Sequence, residues 1–242
     1  FNKRTSVCEN PNISKETPII AASAGNHAQG CAFSSTKNGR KSIIFMPKFT
    51  PPLKVKATKA YGAEVIQVGD NFDEAYAESQ KYIALHGGIY VHPFNDKEVI
   101  AGQGVIALEI LEKLKDVDVI IAPIGGGGLL SGIAIAVKKI NPNIKVYGVN
   151  SAGAPSMQIS IEHQKIETLP SIDTIADGIA VKTPGELTFR ILKKYCDKVL
   201  TATDDQISKA IFLLLQRGKL LAEPAGAAAM AACIFNEEFH KE

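Results

Sequence analysis

The sequence predicts an α/β protein with two three-layer αβα lobes, each built on a mostly parallel sheet. Short apolar runs alternate with longer helical segments along most of the 242 residues, a pattern typical of βα units. The apolar runs, such as residues 117–121, lack strict alternation of apolar and polar side chains. Strands covered by helices on both faces have this property, so we expect the sheets to be buried.

The first lobe is predicted over residues 18–95, after residues 1–17, which form the start of the large domain or a linker. Proline early in a helix and glycine just past its end, as at Pro51 and Gly62, mark the helix boundaries. The predicted strands are Ile19–Ala22, Ser42–Met46, Glu64–Val68 and Ile89–Val91. The predicted helices are Ala28–Asn38, Pro51–Tyr61 and Phe72–His86.

The second lobe is predicted over residues 96–242, after a crossing segment at residues 92–96. Its predicted helices are Val99–Leu114, Gly128–Ile140, Pro184–Tyr195, Asp204–Arg217 and Gly226–Asn236. Its predicted strands are Val117–Ala122, Lys145–Asn150 and Lys198–Ala202. Residues 151–181 contain Pro155 and Pro170 and are predicted to be irregular.

Composition excludes several classes of partner. The 27 basic and 25 acidic residues leave a net charge of +2, too small a field to indicate nucleic acid or an anionic membrane. No apolar run approaches the roughly 20 residues that span a bilayer, and no signal peptide is expected. The four scattered cysteines suit a reducing compartment, so we expect a cytoplasmic protein. Because the sequence opens on Phe1 without Met and ends on a charged segment, we expect a fragment at both ends.

A polar turn, residues 23–30, joins the first predicted strand to the first helix. Its sequence, Ser-Ala-Gly-Asn-His-Ala-Gln-Gly, places four hydrogen-bonding side chains in eight residues, which packing alone does not require. Such turns lie at the carboxyl ends of parallel strands, where backbone N–H groups and a helix N-terminus can hold an anion. An ordinary βα loop eased by Gly25 is the alternative.

A second turn, residues 123–130, carries four consecutive glycines between a buried strand and a helix. Ordering glycine costs roughly 0.5–1 kcal/mol per residue relative to alanine, which indicates that the backbone must approach something closely. Successive N–H groups at a helix N-terminus suit a phosphate. The turn lacks the Gly-Lys-Ser/Thr ending of a Walker loop and the acidic residue of a dinucleotide fingerprint. A small phosphorylated cofactor is therefore favoured over a merely flexible turn.

The two turns, about a hundred residues apart, resemble those of fold-type II pyridoxal-phosphate enzymes, the tryptophan synthase β-like fold, and within them threonine dehydratases. The resemblance covers essentially the whole chain. Further segments match the family pattern in order: Phe45–Pro47, Gly69–Ala75, Ile100–Gly104, Ala176–Val181 and Ala222–Ala227. It implies β-elimination of L-threonine to 2-oxobutyrate and ammonia, and of L-serine to pyruvate, with pyridoxal 5'-phosphate as cofactor and residues 96–242 as the large cofactor-binding domain.

The resemblance also implies a role for individual residues. Asn26 would bind the ring hydroxyl oxygen of the cofactor, and Glu223 would lie near the ring. The phosphate would be held by the backbone of Gly125, Gly126, Gly127, Gly128 and Leu129. The substrate carboxylate would be cradled by Ser23, Ala24, Gly25 and His27, and the pocket would be lined by Gln103 and Gly178.

The family's Schiff-base lysine, which removes the α-proton, sits in a Ser-Phe-Lys-x-Arg-Gly-Ala motif directly before Phe-Asn-Lys. This chain begins at that point, as Phe1-Asn2-Lys3, so the lysine is expected about five residues before Phe1 and no catalytic residue is assigned within the chain. Likewise, the turn that partners the pyridine nitrogen would follow Glu242. A non-catalytic homologue without the lysine is the alternative from another class.

Serine racemase is the nearest alternative in chemistry. Its loop has a second serine as acid/base where this chain has Ala24, so elimination is expected to dominate. Asn150, Ala154 and Ser156 replace the racemase's Glu, Ala and Asp metal ligands, so no divalent metal is expected and a monovalent cation stays open. Sulfhydrylases are less favoured, because they carry a different asparagine turn.

The resemblance also implies a homodimer or homotetramer. Isoleucine biosynthesis and a catabolic role both stay open, although residues 156–168 resemble the shorter catabolic enzymes.

Overall fold

A computed structural model describes residues 13–237. The strands are β1 (Ile19–Ala22), β2 (Ser42–Met46), β3 (Glu64–Gln67), β4 (Ile89–Tyr90), β5 (Val119–Pro123), β6 (Lys145–Ser151) and β7 (Lys198–Ala202). The helices are α1 (Asn26–Lys37), α2 (Pro52–Ala60), α3 (Phe72–His86), α4 (Lys97–Lys113), α5 (Gly128–Ile140), α6 (Ser156–Glu162), α7 (Glu186–Tyr195), α8 (Asp204–Gln216) and α9 (Pro224–Phe235). A 3₁₀ turn covers Asp177–Ile179.

The described residues up to Gly102 form one unit around a parallel sheet with the strand order β3-β2-β1-β4. Alternate residues of β1 and β2 face opposite sides of this sheet. Ile19 and Ile44 pack with α1, α2 and the start of α4, whereas Ile20 and Phe45 pack with α3. Both faces are therefore covered, as the uninterrupted apolar strands predict, and the unit has three layers.

The residues from Gln103 onward form a second unit around the parallel sheet β5-β6-β7. One face packs against α4, α5, α6 and α7 through residues that include Val146 and Leu192. The opposite face, which includes Val149 and Leu200, packs against α8 and the alanine-rich α9. The predicted α/β fold with parallel sheets is confirmed.

Several predicted boundaries are wrong. Residues 151–181 were expected to be irregular, but α6 lies within them, because Met157 and Ser160 are fully buried there. Helix α1 begins at Asn26 instead of Ala28, and α9 begins at Pro224 instead of Gly226. Strand β5 begins at Val119, two residues after its predicted start.

The two units meet in sequence within α4, after Gly102, whereas the domain prediction put the division between residues 95 and 96. Val99, near the start of α4, belongs to the core of the first unit, and Ala107, further along the helix, belongs to that of the second. The domain assignment itself stays a prediction. Within residues 13–237, every helix is too short or too polar to cross a membrane.

Candidate functional site

The polar turn after β1 forms a helix N-terminus at the carboxyl edge of the first sheet. The N–H of Ser23 extends the sheet by donating to the carbonyl of Phe45, at 3.1 Å. The hydroxyl of Ser23 accepts from the N–H of Gly25 at 3.2 Å, which closes the turn, and α1 begins at the next residue, exposed Asn26. The first N–H groups of a helix lack partners within the helix, so this turn has the form of an anion site.

His27 lies in the same turn, but its ring has a structural contact. The side chain is buried, and Nε2 lies 2.8 Å from the carbonyl oxygen of Val91, just after β4. A carbonyl can only accept, so Nε2 carries the proton and donates it. The ring therefore ties α1 to the end of β4, and a contact with a carboxylate would come from the backbone of this turn.

The four-glycine turn at residues 123–130, called the glycine loop below, has the same strand-to-helix form after β5 in the second unit. The N–H of Ile124 donates to the carbonyl of Val149 at 2.7 Å, which extends the sheet by one residue. Gly127 then adopts a φ of +92°, a left-handed conformation that favours glycine, and caps α5, which begins at Gly128. The first bond of the helix runs from the N–H of Ser131 to the carbonyl of Gly127, at 3.0 Å.

Glycine is required in this loop because neighbouring atoms occupy the space of a side chain. A Cβ on Gly125 would lie 2.9 Å from the Cα of Ile179. A Cβ on Gly127 would lie 2.8 Å from Cε of Met157 and 2.9 Å from Cβ of Thr188. Within residues 13–237, the backbone N–H groups from Gly125 to Leu130 donate to no protein acceptor. The loop is thus packed on one side and leaves a run of donors available to an anion.

Three other predicted residues lie in the second unit, on the 3₁₀ turn, before α9 and on α4. Gly178 is in the 3₁₀ turn, whose Ile179 contacts Gly125, and a Cβ on Gly178 would lie 2.9 Å from that of Ala225. Exposed Glu223 is the residue before α9, two positions from Ala225. The structure therefore brings the glycine loop, the 3₁₀ turn and the start of α9 together. Gln103, half-buried, lies on α4.

Comparison with known families gives a direct match. The sequence pattern of the family described as "Pyridoxal-phosphate dependent enzyme" matches residues 5–242, which is nearly the whole chain. The chain belongs to this family. A phosphate needs several donors and close backbone approach, and the glycine loop provides both, so the residues present fit the phosphate of the cofactor that gives the family its name.

Individual relatives are threonine-degrading enzymes by name. The chain is 50% identical over 216 residues to an L-threonine ammonia-lyase of Geobacter sulfurreducens. The aligned residues make up 89% of this chain and 54% of that protein. It is 43% identical over 234 residues to the catabolic L-threonine dehydratase of Escherichia coli, which covers 97% of this chain and 70% of that protein. The chain thus spans about half the length of the first of these relatives.

Solved structures of the family share the fold. The processed threonine deaminase isoform 2 of Solanum lycopersicum superimposes with a TM-score of 0.92 at 38% identity, covering 99% of this chain and 67% of that one. Maize serine racemase superimposes with a TM-score of 0.92 at 33% identity, covering 99% of this chain and 74% of that one.

Two buried side chains that contact the glycine loop of this family member were not predicted. Thr188, on α7, is fully buried and donates its hydroxyl to the carbonyl of Gly126 at 2.6 Å. Asn150, near the end of β6, is fully buried and donates its amide to the carbonyl of Ile124 at 2.7 Å. Asn150 was predicted only to replace a metal ligand, and no local sequence pattern indicates Thr188.

A third polar side chain fixes the segment that carries the 3₁₀ turn. Asp204, at the start of α8, accepts from the hydroxyl of Thr174 at 2.6 Å and from the N–H of Ile175 at 2.9 Å. The hydroxyl of Ser151 in turn donates to that of Thr174, at 2.7 Å. These bonds connect the segment before Gly178 to the last residue of β6 and to the first residue of α8.

Titratable groups near the crossing segment serve the fold. Nδ1 of His92 accepts from the N–H groups of Phe94 and Asn95, at 3.2 and 2.9 Å. Burial lowers the pKa of His92, and the nearby carboxylate of Asp96 opposes that shift only in part. His92 is therefore a neutral acceptor at neutral pH.

Among residues 13–237, no group of three or more His, Cys, Asp and Glu side chains could hold a metal ion.

Proposed function

We propose that this chain is the cofactor- and substrate-binding part of an ammonia-lyase that converts L-threonine to 2-oxobutyrate and ammonia, and L-serine to pyruvate and ammonia. The observation that carries the proposal is the polar turn at Ser23 together with the glycine loop at Gly125, in a chain 50% identical to an L-threonine ammonia-lyase. The family name supports pyridoxal 5'-phosphate as the cofactor.

In this proposal the glycine loop binds the phosphate through the backbone from Gly125 to Leu129. Its N–H donors and lack of side-chain bulk support the assignment. Asn26 binds the ring hydroxyl oxygen, and Glu223, at the start of α9, lies near the ring. When bound, pyridoxal phosphate withdraws electrons from the Cα of an amino acid, which makes the α-proton removable.

The turn after β1 binds the substrate carboxylate in this proposal. The N–H of Ser23 is bonded to Phe45 and that of Gly25 to the Ser23 hydroxyl, so Ser23 donates to the carboxylate through its hydroxyl proton and Gly25 shapes the turn. The backbone N–H groups of Ala24 and His27 supply the other donors, and the N-terminus of α1 adds a favourable partial charge. Fixed donors on the carboxylate hold the Cα–H bond in one orientation, which lowers the entropy cost of reaching the transition state. Gln103 and Gly178, in the second unit, keep the substrate-binding role that the family resemblance implies. These residues bind and orient, and none of them moves a proton.

Racemisation of serine is the second candidate activity, because the fold and sequence are similar to those of maize serine racemase. Inverting Cα requires a group on the second face of the substrate that can take and return a proton. The methyl side chain of Ala24 cannot do so. We therefore propose that elimination dominates over racemisation.

Residence in the cytoplasm and assembly into a homodimer or homotetramer belong to the same proposal. Cys31, Cys196 and Cys233 form no disulfide within residues 13–237, which suits a reducing compartment. Isoleucine biosynthesis and threonine catabolism are both served by 2-oxobutyrate formation. The E. coli relative, which is catabolic by name, supports the second role.

The test is release of 2-oxobutyrate from L-threonine and of pyruvate from L-serine by the full-length protein. Asn26→Ala should lower kcat/KM for both substrates by at least tenfold, because a cofactor-binding amide is removed. Asn143→Ala, at an exposed turn between α5 and β6, is the matched control and should leave kcat/KM unchanged. Absence of ammonia from both substrates would overturn the proposal.

A further inference from the structure

The carbonyl groups of the glycine loop are held from the packed side of the second unit. Nδ2 of Asn150 donates to the carbonyl of Ile124 at 2.7 Å, from 26 residues away in sequence. Oγ1 of Thr188 donates to the carbonyl of Gly126 at 2.6 Å, from 62 residues away. The carbonyl of Gly127 accepts from Ser131 as the first bond of α5.

Holding a carbonyl fixes the direction of the next N–H group. In a planar trans peptide the C=O of one residue and the N–H of the following residue point in opposite directions. The Asn150 contact therefore turns the N–H of Gly125 away from Asn150, and the Thr188 contact turns the N–H of Gly127 away from Thr188. Without the Thr188 contact, the carbonyl of Gly126 would keep only a long bond, 3.5 Å, from the N–H of Gly185. A glycine peptide held so weakly can change its φ and ψ more easily than other peptides, because it has no Cβ.

The two side chains are placed for this task. Oδ1 of Asn150 accepts from the N–H of Gln158 at 3.0 Å, which sets the amide so that its NH₂ group faces Ile124. The single hydroxyl proton of Thr188 also has the carbonyl of Gly185, the residue before α7, at 3.0 Å, yet the carbonyl of Gly126 is closer. Both side chains are fully buried, so water does not compete for these bonds.

We propose that Thr188 and Asn150 are positioning residues that orient the N–H groups of the glycine loop toward the phosphate of the cofactor. The inference rests on the proposed function, because it takes the loop as the phosphate site. Neither side chain touches the phosphate itself. Their effect on binding passes through the Gly126–Gly127 and Ile124–Gly125 peptides.

The test compares two probes on the full-length protein stripped of cofactor: pyridoxal 5'-phosphate and pyridoxal, which share the ring and the aldehyde. The ratio of the dissociation constant of pyridoxal to that of pyridoxal 5'-phosphate isolates the contribution of the phosphate. Thr188→Val keeps the shape and removes the donor to Gly126, so the N–H of Gly127 is no longer held toward the phosphate. The ratio should therefore fall about tenfold, the typical effect of losing one hydrogen bond to a charged group. Thr188→Ser keeps the hydroxyl and should recover the ratio to within about threefold of the wild type.

Thr58→Val is the matched control. Thr58 is a buried threonine on α2 that donates to a helical carbonyl, that of Lys54, at 3.0 Å. Its loss should lower thermal stability as Thr188→Val does, but leave the binding ratio unchanged. If Thr188→Val does not fold, Asn150→Ala takes its place, with the same expected fall.

Two results would overturn the inference. A folded Thr188→Val or Asn150→Ala protein with a ratio within twofold of the wild type would show that these bonds do not orient the loop. A wild-type ratio near one would instead show that the loop holds no phosphate, which would overturn the proposed function and this inference with it.

Discussion

Replacement of Gly127 by alanine should disable the glycine loop. Gly127 adopts a φ of +92° and joins the loop to α5. An added Cβ would lie 2.8 Å from Cε of Met157 and 2.9 Å from Cβ of Thr188. The substitution therefore combines backbone strain with a collision against a buried threonine.

The magnitude follows from these two costs. A non-glycine residue in the left-handed region costs roughly 1–2 kcal/mol. Crowding a packed interior by one methyl group adds typically about 1–3 kcal/mol, and here only the Met157 end is flexible enough to move. Loss of chain entropy in the unfolded state returns about 0.4–1 kcal/mol. The midpoints of these ranges give a net destabilisation of about 3 kcal/mol for Gly127→Ala.

Gly39→Ala separates the two costs. Gly39 also has a positive φ, +66°, but it is exposed, and a Cβ there would meet nothing within 4 Å. It should lose only the strain, about 1 kcal/mol after the same entropy correction. The assay is thermal unfolding of the full-length protein together with the ratio of pyridoxal to pyridoxal-phosphate dissociation constants. Gly127→Ala should lower both stability and ratio, whereas Gly39→Ala should lower stability alone.

Equal destabilisation of the two variants would refute this reasoning. It would mean that Met157 and Thr188 yield to the new methyl group at no cost, so that the loop is not confined by its neighbours. A confined loop predicts that Gly127→Ala loses at least twice as much stability as Gly39→Ala.

Three other predictions follow from single residues. Ala24→Ser should raise D-serine formation relative to pyruvate formation in the full-length enzyme, measured by chiral chromatography; an unchanged product ratio would contradict the assigned role of the loop. Partial burial raises the pKa of Asp197, but its bonds to Lys138 (2.6 Å) and a backbone N–H outweigh this and hold the pKa below its usual value. Asp197→Asn should therefore cost about 1 kcal/mol at pH 7, and the loss should shrink below about pH 4 as wild-type Asp197 is protonated, whereas exposed Asp70→Asn should change little in denaturant titrations. Burial raises the pKa of Cys196 to about 11, so mass spectrometry should show it alkylated by iodoacetamide at pH 8 at least roughly 100-fold more slowly in the folded than in the unfolded protein; equal rates would contradict its burial.

Much of the fold was predictable because its signals are local. Strands β1 and β2 have their predicted bounds, since each is an apolar run between polar turns. Helices α3 and α5 also have theirs, because glycine or asparagine lies at their ends.

Helix α6 was missed for the opposite reason. Its seven residues follow a proline and include two serines, so local propensity is weak. The helix forms because Met157 is fully buried in the core with β6 and α7. Burial of this kind depends on residues distant in sequence, and a single segment does not contain the information.

The candidate site divides in the same way. The sequence by itself determined the two strand-to-helix turns, the identity of the family and the need for glycine near Gly127, because each depends on neighbouring residues or on a family pattern. Only the tertiary structure decided that His27 binds the carbonyl of Val91 and that Thr188 and Asn150 hold the glycine loop. These hydrogen bonds join residues 26 to 64 positions apart in sequence. Each forms only because the fold of its own unit brings the donor and the acceptor together in a buried interior.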